Sequence, residues 1–159
     1  VIRQEQLQPG DVLLYGPTGI FGRLIALKTW HSLSHCEVYI GGGQSAASRD
    51  GLGVAIYQAR LHDAKHALRP TVPFTLTRAL AWFTVHAKGQ PYGWLDLLAF
   101  LGVSKDMPGM VCSSFATQFL RAGGVPVFRD EPANKIAPFQ FVTSELLEPV
   151  QPADRESAA

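Results

Sequence analysis

Clustered positive charge is missing from this sequence. Its 14 Lys and Arg are scattered singly and nearly balanced by 13 Asp and Glu, so the formal charge is only +1 and no basic stripe exists to follow a phosphate backbone. Nucleic acid is therefore not an expected partner. Cysteine is scarce as well: two residues, Cys36 and Cys112, are too few to build a disulfide scaffold, and both are read as reduced thiols. Long hydrophobic runs are lacking too. The longest, residues 94–103, is short and carries Asp96, so no integral membrane segment is expected. The opening residues 1–6 are polar and do not read as a charged-then-apolar leader, which leaves the compartment open.

What is present is apolar content of 47% over 159 residues, enough for one sizeable core and too little chain for two. One domain is expected over residues 1–148, with a disordered tail over 149–159 and a monomeric chain. Val12-Leu13-Leu14-Tyr15, bounded by Gly10 and by Gly16-Pro17, reads as a short strand, and residues 20–30 carry helical spacing. In His35-Cys36-Glu37-Val38-Tyr39-Ile40 the period of two puts His35, Glu37 and Tyr39 on one face and Cys36, Val38 and Ile40 on the other. The second, wholly apolar face is the expected core face, with Cys36 as packing. A weak strand near residues 44–48, a clear one over 53–59 and another near 67–69 continue an antiparallel meander. Helices are expected from Thr75 or Thr77 to Ala87 and from Tyr92 to Leu101. Beyond the last helix, a short strand is expected over 125–128, a polar loop over 129–135 and a turn of helix over 143–147.

Gly109-Met110-Val111-Cys112 delivers a cysteine to the first turn of a further helix, marked by Phe115, Phe119 and Ala122 and ended by Gly123-Gly124. Backbone N–H groups there lack intrahelical partners and the helix dipole favours an anion, conditions that make a thiolate. A nucleophilic cysteine needs a base, and the base needs an orienting partner. His35 is the one strand-borne histidine with an acid on its own face, so Cys112, His35 and Glu37 form the candidate catalytic set, with Gln44, Ser45 and Ser48 as other candidates for the third role. Tyr92, Ser113 and Gln44 are the candidate substrate contacts. His62, His66 and His86 read as solvated surface groups.

Four segments together, Gly10-Asp11-Val12-Leu13-Leu14, Ser34-His35-Cys36-Glu37-Val38-Tyr39-Ile40-Gly41, Gln90-Pro91-Tyr92-Gly93-Trp94-Leu95-Asp96 and Val111-Cys112-Ser113-Ser114-Phe115, resemble the circularly permuted branch of the NlpC/P60 superfamily of papain-like cysteine hydrolases. In ordinary members the cysteine helix comes before the histidine strand; here the order is reversed, as in the permuted bacterial, poxviral and lecithin retinol acyltransferase-like groups. The resemblance implies an α+β fold, an antiparallel sheet packed against helices that include the nucleophile helix, with Cys112 as nucleophile, His35 as base and no cofactor. Many relatives carry a histidine or other polar third residue on the next strand. Residues 44–48 have no histidine, whereas Glu37 stands where relatives often have glycine.

The implied chemistry is attack of Cys112 on an acyl carbonyl, with its own backbone N–H and Tyr92 as candidate oxyanion donors. An amide or isopeptide bond, as in a peptidoglycan stem peptide, is the first substrate class; an acyl lipid, cleaved or used for acyl transfer, is the alternative. A zinc-binding module built from His31, His35, Cys36 and Glu37 is a third reading, weakened because His35 and Cys36 leave opposite faces of one strand.

Overall fold

The computed structural model describes residues 2–17, 32–93 and 110–150. The helices expected over 20–30 and beyond Gly93 lie outside these, as does His31. Among the described residues, β1 (Val12–Tyr15), β2 (His35–Gly41), β3 (Gln44–Arg49), β4 (Gly53–Gln58), β5 (Ala64–Pro70) and β6 (Leu147–Pro149) form one antiparallel sheet in the order β4-β3-β2-β1-β5-β6. With α1 (Leu76–Trp82) and α2 (Cys112–Ala122) the fold is mixed α+β. No described helix is long and apolar enough to cross a membrane.

Both faces of the sheet are covered. On one, Val12, Leu14, Cys36, Val38, Ala46 and Leu68 pack against Phe115, Phe119 and Leu120 of α2 and against Ala79 and Phe83. On the other, Leu13, Tyr15, Tyr39 and Ala67 gather under Leu7, with Ala59 and Leu61 beside them. This is why β1, in mid-sheet, is apolar at every position instead of alternating. Phe115 and Phe119 are fully buried, each contributing roughly 1.5–3 kcal/mol from surface removed from water. Phe83 meets both rings edge-on and couples the end of α1 to α2. After Trp82 the helix widens into a π turn over Phe83–Ala87, ending at Lys88-Gly89 as the sequence suggests.

Three expectations are corrected. The segment 125–128 is not a strand, because Arg121 of α2 donates to the carbonyls of Val127, Phe128 and Glu131 and curls the chain, leaving Phe128 at φ 50°. The helical turn expected over 143–147 lies earlier: a 3-10 helix occupies Pro138–Thr143, and a single turn closed by Leu147 N–H donating to the Ser144 carbonyl at 3.1 Å then leads into β6. The ordered chain also runs past residue 148. Glu148 and Pro149 pair with Arg69 and Leu68, and Val150 N–H donates to Ala67 at 2.8 Å, an arrangement that accepts proline because β6 is an edge strand.

Candidate functional site

The site assembles where β2 begins and α2 begins. Ser34 N–H donates to the Tyr15 carbonyl at 3.1 Å and His35 pairs with Tyr15, so the start of β2 is held by β1. The chain entering α2 is fixed from another side. Tyr92 and Met110 form a short parallel bridge, and the Ser48 hydroxyl donates to the Met110 carbonyl. The approach to Tyr92 is itself tied to β4: Val54 N–H donates to Gln90 and Gly89 N–H to Val54, both at 2.9 Å. Gly53 permits this closeness, with φ +81° and a Cβ position 2.6 Å from the Gln90 oxygen.

Cys112 is the first residue of α2, which has no side-chain cap, so the sulfur lies at the unsatisfied N–H end of the helix. The Cys36 thiol, the His35 imidazole and the Tyr92 hydroxyl are each in hydrogen-bonding contact with it, and the Ser34 carbonyl lies 3.9 Å from the sulfur. The hydrogen bond from Cys36, then the charge and hydrogen bond of His35, hold the Cys112 thiol well below its ordinary value, against the opposing effect of burial. Burial pushes the Cys36 thiol up, and its bond to Cys112 pushes it further the same way. One proton is thus kept on Cys36 while Cys112 gives its own up. Burial and the neighbouring Cys112 charge also raise Tyr92, keeping it a neutral hydroxyl donor.

His35 is bound from both sides. Burial alone would lower its pKa, but the Cys112 charge and hydrogen bond, and after them Glu37, raise it to about 9. Its Nε2 lies 3.1 Å from Glu37 Oε1, which leaves Nδ1 for the sulfur. Two residues along one strand suffice here, because both side chains leave the same face and lean together. Arg49 grips Glu37 with Nε on Oε1 at 2.8 Å and Nη2 on Oε2 at 3.0 Å; Ser45, Tyr15 and Arg60 complete the shell. Burial alone would raise the Glu37 carboxyl, yet the bonds from His35 and Arg49 and the His35 charge hold it well below the usual range.

The structure thus brings together Cys112, His35, Glu37 and Tyr92. Glu37 is 0% exposed, because the β4–β5 connection folds Arg60 over the Tyr15 ring at 4.9 Å and covers it. Cys112 is 1% exposed and packed in the same apolar cluster as Cys36, which lies on the core face of β2 as the alternation expects. Ser113 is buried beside Cys112. Gln44 lies apart from the site: it is exposed at the turn of the β2–β3 hairpin, the end of β2 opposite His35. Of the alternatives for the third role, Ser45 bonds Glu37 and Ser48 bonds Met110. Tyr92 itself is in the extended bridge, not in a helix. His62, His66 and His86 are exposed.

Arg49 and Arg60 were missed in the sequence. Arg49 was within reach of pattern reading, since a hairpin turning at Gly41-Gly42-Gly43 puts Ser45 and Arg49 on the Glu37 face. Arg60 carries no such signal. Among the described residues, no group of three His, Cys, Asp or Glu is arranged to hold a metal ion. Comparison of the chain with models of known protein families finds no match, and comparison with curated protein sequences finds none either.

Proposed function

We propose that this protein is a cysteine hydrolase of the circularly permuted NlpC/P60 kind, cleaving an amide or isopeptide bond such as that of a peptidoglycan stem peptide. The observation that carries the reading is the unbroken chain of contacts from Cys112 through His35 to Glu37. It supplies a thiolate, a charged imidazole and a buried carboxylate in the relation that acyl transfer requires. The α+β fold with an antiparallel sheet against α2 supports it further.

In this reading the Cys112 thiolate attacks the scissile carbonyl, forming an S–C bond and a tetrahedral oxyanion. The Cys112 N–H at the start of α2 and the Tyr92 hydroxyl are the oxyanion donors. As the C–N bond breaks, His35 gives its proton to the departing amine, and Glu37 keeps the ring oriented throughout. Neutral His35 then takes a proton from water, whose hydroxide attacks the thioester; the acid leaves and Cys112 is again a thiolate. No cofactor enters these steps. Because Cys112 is 1% exposed, substrate entry requires the cover over the sulfur to open.

Mass-resolved incubation with defined muropeptides, alongside phospholipid vesicles, tests the proposal. Cleavage of a stem-peptide amide by the parent chain, lost in Cys112→Ala and His35→Ala, is the expected result. Release of fatty acid from the vesicles with no peptide cleavage transfers the reading to an acyl-lipid hydrolase. Peptide cleavage that survives in Cys112→Ala overturns the thiolate mechanism.

A further inference from the structure

Arginine is scattered along the sequence, yet the fold gathers three guanidinium groups at the end of α2 opposite Cys112, about 14 Å away at the usual rise per residue. A cavity of about 210 Å³ opens there, lined by Arg121, Gly124, Pro126 and Arg129. Arg78 of α1 is the third group: its Nη1 lies 3.9 Å from where a Cβ on Gly124 would stand. Packing sets its place. Thr75 N–H donates to the Gly123 carbonyl at 2.8 Å, and the Phe74 ring lies so close over Gly123 that no side chain fits, which pins the start of α1 to the end of α2.

Arg121 is half-buried and held as firmly, with Nε on the Val127 carbonyl at 2.9 Å and Nη2 on the carbonyls of Phe128 and Glu131, leaving Nη1 uncommitted. The negative end of α2 is muted, because the carbonyls of Phe119, Leu120 and Arg121 accept from the N–H groups of Gly123, Val125 and Gly124. No acid answers the three cations. Among the described residues none of Arg78, Arg121 and Arg129 is in an ion pair, and Asp130 and Glu131, exposed beside Arg129, engage none of them. Like charges around one cavity repel one another until an anion joins them.

We infer that this cavity binds a phosphate group, as the free ion or as the head of a phosphoester. Guanidinium groups converging from three segments suit a tetrahedral dianion, whereas a lone carboxylate is matched by a single guanidinium fork. The site stands apart from Cys112 and takes no part in the acyl-transfer steps.

Isothermal titration of the whole chain with inorganic phosphate, at an ionic strength held constant with sodium chloride, tests the inference. Saturable binding is expected, weakened about tenfold or more in Arg129→Ala and in Arg78→Ala, since each removes a charge-assisted contact. Both side chains are exposed, so the melting temperatures of the variants should match the parent's. Co-sedimentation with vesicles of phosphatidic acid in phosphatidylcholine distinguishes the sources. Phosphate binding without vesicle binding supports a free ion or small ester; vesicle binding lost in the two variants supports a lipid headgroup. Neither phosphate nor vesicles bound overturns the inference, as does binding that both variants retain in full or that chloride replaces equally well. Cleavage by Cys112 is read in a separate assay, so either proposal can fail without the other.

Discussion

Glu37 holds His35 through a 3.1 Å contact between Oε1 and Nε2, and it does so while wholly buried between two guanidinium groups. The carboxylate therefore serves two purposes at once. It aligns the ring that faces Cys112, and it pairs with Arg49 and Arg60.

That double role makes Glu37→Gln a stability mutant as well as a mechanistic one. Removing the charge leaves Arg49, 16% exposed, and Arg60 with no carboxylate between them, and leaves His35 with the Cys112 thiolate as its remaining anionic partner. Breaking a buried pair from one side typically costs about 3–5 kcal/mol. Urea denaturation is expected to show a loss of that order, with the His35 pKa falling from about 9 because one of its supports is gone. A variant as stable as the parent, with His35 unmoved, would contradict the geometry.

Acid stability follows from the same group. The unfolded carboxyl takes up a proton near pH 4.5 while the folded one resists until far lower pH, so below about 4.5 the unfolded chain binds more protons and stability falls as pH drops. Above 4.5 the contribution is complete. Melting temperature measured from pH 6 downward is expected to fall below about that value, and to fall less steeply in Glu37→Gln, which has no carboxyl to protonate.

Alkylation of Cys112 reports the thiolate–imidazolium pair without a substrate. With Cys112 held below its ordinary 9.0 and His35 raised to about 9, the pair is charged across neutral pH, and above about 9 His35 loses its proton and the thiolate loses its partner. The iodoacetamide rate is expected to be flat through pH 7 and to change as pH passes about 9, with Cys36 slower throughout because its proton is retained. In His35→Ala the rise should shift toward the ordinary thiol range. Since Cys112 is buried, a bulky maleimide should lag far behind iodoacetamide. Equal rates at both cysteines would remove the basis for an acidified Cys112.

Gly53→Ala tests how the Tyr92 side of the site is held. The added Cβ would stand 2.6 Å from the Gln90 oxygen on a residue at φ +81°, so the β4 contact with the 89–92 segment must open. The strained backbone alone costs on the order of 1 kcal/mol or more. A lower melting temperature together with faster Cys112 alkylation is the expected outcome; alkylation unchanged despite lost stability would separate this contact from the site.

Alternation over His35–Ile40, the glycine brackets around β1 and the helical spacing after Cys112 are local patterns, and each made its element legible in the sequence. They put Glu37 on the His35 face and Cys112 at a helix start, because strand period and helix period are properties of a few consecutive residues. What the tertiary structure alone decided are the relations between distant segments. Arg60 turns back over Tyr15 only because the β4–β5 connection closes on that face of the sheet. Arg121 captures the carbonyls after α2 and denies them to a strand. β6 exists because β5 offers an unpaired edge, which outweighs the weak strand preference of Leu147-Glu148-Pro149. Cys36 meets Cys112 for the same reason: period-two alternation puts Cys36 on the core face, but only the packing of α2 on that face determines which side chain it finds there.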